Sequence, residues 1–566
     1  MLAGRELVAL MYRADWTNLS LSGEVSGSDQ PLLTFLADAR ERHRESGGNL
    51  PPFPFEPGAT RQLLTRLVVA PGQRYRADNQ DGRFASARGC DGEQVWQWFQ
   101  YPPPPPGEVH FSGRPKPPFP TLLCPSWLLA GYDLEVAGPV PACGRDGIRL
   151  VATARRDTRT TPGTPFSPFS AWPPMRFDHV DAIVDSGLGI LLRCERRKGD
   201  RAAEVIEFRS LTVDQVADPA QFTAPAGSIL GEGDGCLSGT HFSGPFSGTG
   251  WEIAKTAAGL AAGGLGAAIR YSPFGPFGPL RPPRPAPPRD EDAEAAMPRD
   301  DPPPADIAER PPVSDEVLHL LQRGGAVPEF TGTFHEWFDP AGLLAAVPPS
   351  ARQTGFGGVG FLVDTLGAAS EAKRKPGVRH EISTVRMEGW DKYRIDRTYR
   401  TPRRGVDRAR GDADWVTMAC DGRQRYQVYS GRVSKGPSAP PPTELSDLAD
   451  GSWLLRCELS DGGEVMAGDR RGYRIHVWRS PSVASLTGFF FRAVAVVDAE
   501  SGRLRSLTHY GGAKPVIRFE LRDVAPGADA GFEVPAGLPV VDEPSGHVPS
   551  GRARGDHRGR YADPPG

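Results

Sequence analysis

Two short runs of alternating residues set the reading of this chain. Ile517, Phe519 and Leu521 alternate with Arg518, Glu520 and Arg522, and Ile206 and Phe208 alternate with Glu207 and Arg209. A period of two places all the apolar side chains of a strand on one face. Each run is therefore expected to lie in an antiparallel sheet with one buried and one wet face. Helical spacing appears earlier in each half. Leu7, Leu10 and Met11 share one face of a segment from Glu6 to Tyr12, and Val317, Leu318 and Leu321 share another, behind Ser314 or Asp315 as N-cap. Strands are expected directly after them, at Leu19–Leu21 and Phe330–Phe334. Asp91-Gly92, Asp421-Gly422, Asp185–Gly189 and Asp498–Gly502 supply turn chemistry, with glycine accepting positive φ.

These patterns occur twice, in one order. Cys90-Asp-Gly-Glu-Gln94 matches Cys420-Asp-Gly-Arg-Gln424, and Ser126-Trp-Leu-Leu129 matches Ser452-Trp-Leu-Leu455. Gly147–Leu150 matches Gly472–Ile475, Val184-Asp185 matches Val497-Asp498, and Val205–Phe208 matches Val516–Phe519. Phe222-x-x-Pro225-x-Gly227 matches Phe532-x-x-Pro535-x-Gly537. Six ordered blocks with similar gaps identify a tandem duplication, which has to be recognised before any fold is assigned. The fold class expected is α+β, mostly β: two tandem curved antiparallel sheets, each with short lid helices. Residues 1–228 form the first copy and 313–543 the second.

Between the copies, 229–280 is glycine-rich and holds one short apolar stretch, Thr256–Ile269, too short for the roughly 20 residues of a spanning helix. Residues 281–312 carry 11 prolines, five basic and eight acidic residues. Such a segment cannot bury enough apolar surface to offset its ordering entropy, so a disordered linker is expected there, and a disordered tail over 544–566. Tyr101–Gly107, with five consecutive prolines, reads as an exposed loop.

The order of helix, strand, Asp-Gly turn, Ser-Trp-Leu-Leu helix and closing strands resembles the LolA-like family. That family includes outer-membrane lipoprotein carriers and the N-terminal domain of RseB-type regulators of anti-sigma factors. The resemblance rests on Asp185–Gly189, Ile206–Phe208 and Phe222–Gly227, and again on Asp498–Gly502, Ile517–Phe519 and Phe532–Gly537. It implies an unclosed half-barrel wrapped around an apolar cavity, used for acyl chains or for docking. Trp96, Trp98, Phe99, Trp127 and Leu128 are then the cavity-lining candidates of the first copy. Tyr426, Tyr429, Trp453, Leu454, Phe489 and Phe491 are those of the second, although aromatic side chains commonly do nothing but fill a core.

Composition removes other classes. The 66 basic and 69 acidic residues give a net charge of −3, without the basic excess of a nucleic-acid binder. The seven cysteines include no C-x-x-C pair, and the histidines show no ligand spacing, so no metal or other cofactor is expected. Gly355–Gly360 fits G-x-G-x-x-G, but no strand precedes it, which removes the dinucleotide reading. Asp91, Asp421, Asp185 and Asp498 sit beside turn glycines, where backbone bonding explains them, and no nucleophile elbow occurs. The leading expectation is a non-enzymatic protein that holds a lipid or acyl chain. The alternative is a regulatory scaffold that docks a protein partner, and an enzyme ranks third. The first residues show no export signal, so a cytoplasmic protein without a transmembrane segment is expected, or an exported one if translation starts upstream.

Overall fold

In the computed structural model the described residues are 4–28, 62–81, 84–100, 119–130, 132–155, 177–198, 201–231, 297–298, 311–324, 329–339, 341–342, 378–400, 417–429, 432–438, 441–467, 470–478, 492–511, 513–527 and 540–542. The first half opens with helix α1 (Gly4–Tyr12) and a 3-10 turn, η1 (Trp16–Asn18). Its sheet contains β1 (Leu21–Ser28), β2 (Gln62–Ala70), β3 (Arg74–Asp81), β4 (Phe84–Cys90), β5 (Val95–Phe99), β6 (Tyr132–Ala142), β7 (Arg145–Ala154), β8 (His179–Asp185), β9 (Leu191–Lys198), β10 (Arg201–Val213) and β11 (Ile229–Gly231). The short helices α2 (Pro120–Leu123) and α3 (Ser126–Leu129) stand between β5 and β6, and η2 (Pro219–Phe222) follows β10.

The second half repeats the plan. Helix α4 (Asp315–Gly324) precedes β12 (Phe330–Phe338), β13 (Arg379–Met387), β14 (Lys392–Arg400), β15 (Thr417–Asp421), β16 (Gln424–Tyr429) and β17 (Arg432–Pro437). Helix α5 (Thr443–Ala449) and η3 (Gly451–Arg456) come next. They lead into β18 (Glu458–Ala467), β19 (Arg470–Trp478), β20 (Arg492–Asp498), β21 (Leu504–Gly511), β22 (Lys514–Ala525) and β23 (Val540–Asp542). Ser314 caps α4: its hydroxyl accepts from the Val317 N–H at 3.4 Å.

Strand order runs β11-β5-β4-β3-β2-β1-β10-β9-β8-β7-β6 in one sheet and β18-β19-β20-β21-β22-β12-β13-β14-β15-β16-β17-β23 in the other. In each half the first strand pairs with the last long one, and the helices are inserted where the meander breaks. The sheets therefore stay open, with edges at β6 and β18. Bulges recur at matching joints: β1/β10 and β12/β22, β6/β7 and β18/β19, β8/β9 and β20/β21. Each adds local twist and bends its strand.

Register repeats as well. Leu21, Val69, Tyr75, Cys90 and Val95 stand opposite one another across five strands. Phe330, Met387, Tyr393, Cys420 and Arg425 do the same in the second half. The first four of each row belong to the buried apolar core.

Three differences from the sequence reading stand out. Strand β11 lies within 229–280 yet pairs with β5, so the first sheet reaches past residue 228. Within 281–312, Met297 is buried, and Pro311 accepts from the Asp461 N–H while Pro312 bridges Ser460, so the end of that segment is held on the edge strand β18. The third concerns the expected wet face. Glu207 and Arg209 keep it in the first half, whereas Arg518 is only 7% exposed. Arg518 lies in a row with His476, Val494, Thr508 and Trp337, all buried. A strand pattern shows which face is apolar, not whether later chain covers the other one. Most of 281–312, together with Thr256–Ile269, 101–107, 355–360 and 544–566, lies outside the described residues.

Candidate functional site

The turn carboxylates are structural in both halves. Asp91 accepts from the Glu93 and Gln94 N–H groups at 2.9 and 2.7 Å, and Asp421 from those of Arg423 and Gln424 at 2.8 and 2.7 Å. Asp185 accepts from Gly187 and Leu188 and pairs with Arg145; Asp498 accepts from Glu500 and Ser501 and pairs with Arg505. Burial alone would raise the pKa of Asp185 and Asp498, but the bonds from backbone N–H groups and arginines outweigh it and hold both below the ordinary carboxylate range. Both oxygens of Asp185 and of Asp498 are engaged locally. Among the described residues no group of three His, Cys, Asp or Glu side chains could hold a metal ion.

The Ser-Trp-Leu-Leu segments come together. Trp127 donates its indole N–H to the Thr121 carbonyl at 3.0 Å, and Trp453 donates to that of Asp447 at 3.1 Å, each bond reaching six residues back. Leu128 and Leu454 are fully buried. Helix α3 packs on η3, α1 on α4, and α4 on η3, so the helices of the two halves lie against each other. The apolar core runs without a break from one sheet through these helices to the other.

Polar contacts at this junction are reciprocal. The Tyr12 hydroxyl donates to the Cys457 carbonyl and accepts from the Leu459 N–H, both at 3.0 Å, at the start of β18. From the matching position on α4, Gln322 reaches the Tyr132 carbonyl at the start of β6, at 3.4 Å. Arg13 meets Asp315 at 2.5 Å. Arg155 pairs with Asp133 at 2.7 Å and faces Asp450 at 3.5 Å, and it also donates to the Gln322 carbonyl. The Arg155 and Asp450 side chains are 2% and 1% exposed.

The remaining candidates separate by face. Val95 and Cys90 belong to the core, so the neighbouring Trp96 projects from the opposite side of the sheet. There its indole N–H donates to the Phe222 carbonyl at 2.7 Å, the Arg76 guanidinium lies 5.8 Å from its ring, and it is 1% exposed. Gly89 lies beneath that ring, where any Cβ would collide with it. Trp98 has the same parity and is half-buried. Tyr426 occupies the Trp96 position in the second half, half-buried, with its hydroxyl on Gln424 at 2.9 Å. These three lie away from the core face, because a one-residue step along a strand changes sides. Phe99 and Tyr429 are in strands, but their side chains lie outside the described set, as do Phe489 and Phe491 altogether.

On the core face, Trp127 belongs to a group that sequence reasoning missed. Arg196 of β9 lies 4.7 Å from the Trp127 ring and 5.2 Å from that of Phe177, and it donates to the Thr121 hydroxyl at 2.9 Å. Tyr132 meets Trp127 edge to face at 6.0 Å. In the second half Phe334 stacks on Phe519 at 6.1 Å, with His509 edge-on to Phe519. Burial drives the His509 imidazole down to about 4, so it is neutral at pH 7. The alternation of Cys194 and Arg196 along β9 could have flagged the arginine as core-facing, but Trp127, Phe177 and Arg196 are brought together only by topology.

No family model matches the chain. No curated protein matches it either. Solved structures do. MucB of Pseudomonas aeruginosa in complex with MucA is 14% identical over 40% of this chain and 62% of that one, with a TM-score of 0.24. Thus less than two thirds of the MucB chain is spanned. LprF from Mycobacterium bovis is 10% identical over 40% of this chain and its own full length (TM-score 0.24). A LolA superfamily protein from Nitrosomonas europaea is 9% identical over 40% and 99% (TM-score 0.17). The last of these is a protein of the LolA superfamily, the kind that the repeated motifs resemble.

Proposed function

We propose that this protein is a non-enzymatic binding protein whose two curved sheets hold an apolar ligand, a lipid or acyl chain, against their core faces. One observation carries the reading. Eleven and twelve strands, about 4.8 Å apart, present apolar core faces wider than the described helices, none longer than ten residues, which pack on β6 and β9 in the first half and on β21 and β22 in the second. A sheet wider than its helical cover needs something else to fill its inner side. Trp127, Phe177 and Arg196 in the first half, and Phe334, Phe519 and His509 in the second, are the groups offered to such a ligand. An arginine sandwiched by aromatic rings and a neutral imidazole suit an amphiphile better than a bare hydrocarbon.

The test is native mass spectrometry of the purified full chain, followed by solvent extraction. An extractable lipid or fatty acid at near-stoichiometric amount is expected. Inner faces already filled by protein side chains, with nothing extracted and no uptake of added fatty acid, would end this reading and favour the docking of a protein partner.

A further inference from the structure

We propose that the β6 edge of the first sheet, over Leu134–Val136, is a strand-addition site for an extended segment of a protein partner. That segment carries a basic residue opposite Glu135 and an apolar one opposite Leu134. The site does not depend on what the inner faces hold.

The second half shows what this edge takes. Leu134 pairs with Ala152 and Leu459 with Val477, and Ala152 and Val477 lie equally far after the matched glycines Gly147 and Gly472. The edges β6 and β18 therefore correspond residue for residue at this point. On β18, Pro312 bridges Ser460 in antiparallel sense, and the Asp461 N–H donates to the Pro311 carbonyl at 3.0 Å. That register sets Val313 opposite Leu459, and both belong to the buried core. Three residues of extended chain thus cover the second edge and add a side chain to its core.

The first edge has no such cover among the described residues. The Tyr132 carbonyl, which Gln322 reaches at 3.4 Å, turns outward. Backbone direction repeats every second residue, so the N–H and C=O groups of Leu134 and Val136 turn outward as well. Neither makes a hydrogen bond on that side among the described residues. Their side chains are half-buried, whereas Leu459 is 6% exposed. Farther along, the edge is blunted. A bulge falls between Val136 and Gly138, and Pro139 and Pro141 have no N–H to offer. The opening is as long as the stretch that Pro311–Val313 covers on β18.

Strand addition draws affinity from such main-chain bonds and specificity from alternate side chains. An apolar side chain in the place of Val313 covers Leu134. Glu135 stands where β18 has Ser460, exposed on the same side as Asp133. A lysine or arginine in the place of Pro312 lies directly across from it, an attractive cross-strand pair.

The test uses the full chain and a fluorescein-labelled peptide copying Ala308–Ser314 with Pro312→Arg. Saturable binding is expected with a dissociation constant of about 1 mM or below, and hydrogen exchange should slow at Leu134 and Val136. Methylating the valine amide of the peptide, the donor to the Leu134 carbonyl, should weaken binding about tenfold. Glu135→Lys should weaken it about threefold or more, and a Pro312→Glu peptide should bind that variant better than it binds the wild-type chain. Absence of binding at millimolar peptide would overturn the proposal. So would protection at Leu459–Asp461 in place of β6, or indifference to the methyl group or to the exchange of charges.

Discussion

The turn after β8 lies against the last part of α1: Gly189 abuts the carbonyl of Leu10 so closely that a Cβ would overlap the oxygen. Its φ of 73° adds a second reason for glycine. Gly502, with φ 71°, meets Leu320 in the same way. These two contacts fix each half's first helix on its own sheet. Gly189→Ala and Gly502→Ala are each expected to cost about 1–3 kcal/mol in chemical denaturation of the full chain. Gly187→Ala, two residues earlier and with only ordinary contact at its Cβ position, should stay within about 0.5 kcal/mol. Equal losses at Gly187 and Gly189 would contradict the helix-clamp role.

Asp185 and Asp498 hold the same two turns from the other side. Their folded pKa values lie below the ordinary carboxylate value, burial being outweighed by N–H donors and by Arg145 or Arg505. A depressed carboxylate contributes stability that is present above its unfolded pKa and is lost as pH falls through the folded value. Stability should therefore decline below about pH 4. Asp498→Asn, at a buried position, is expected to cost about 1–3 kcal/mol at pH 7 and to flatten that acid limb. A variant with an unchanged limb would show that the bonds are not formed in solution.

Histidines act higher on the pH scale. His509 is driven to about 4 by burial. His335 and His380 are lowered by burial first and then by Arg522, and they share a 3.2 Å ring-nitrogen contact beside Trp337. The unfolded chain takes up protons near pH 6.5 before these folded sites do, so stability should fall as pH drops from about 7 toward 4. His509→Phe removes one proton-binding site and should reduce the slope of stability against pH in that window. An identical slope in wild type and variant would sink the assignment.

The two tryptophans should behave differently. Trp96→Ala removes a buried ring and its bond to Phe222, at a cost of about 3–5 kcal/mol, yet it lies on the outer face and should leave the affinity for an apolar ligand unchanged. Trp127→Ala opens the Arg196–Phe177 side and should weaken acyl-chain binding at least fivefold in a fluorescent fatty-acid titration. A loss of affinity in the Trp96 variant with none in the Trp127 variant would reverse the assignment of faces.

Much of the fold was legible because it rests on local signals. Alternation at Ile517–Arg522, glycines after Asp91 and Asp498, and two copies of Ser-Trp-Leu-Leu mark strands, turns and helices wherever the chain carries them. The site was less legible. Trp96 and Trp127 are the same residue type in the same repeat, but strand register puts Trp96 on the outer face, while Trp127 is carried on a short helix packed against the core. Arg196 looks like one more surface charge in Arg193–Lys198 until β8 and α2 are seen around it. The packing of α1 and α3 on α4 and η3 leaves no mark on either half alone. It brings Arg155 to face Asp450, 295 residues away.

The most direct test of ligand binding on the core faces is photo-crosslinking of the full chain with a diazirine-tagged long-chain fatty acid, with adducts mapped by mass spectrometry. Adducts are expected on or beside Trp127 and Phe177 in the first half and Phe334 and Phe519 in the second, and unlabelled fatty acid should compete for them. Adducts confined to outer-face residues such as Trp98, or insensitive to competitor, would contradict it.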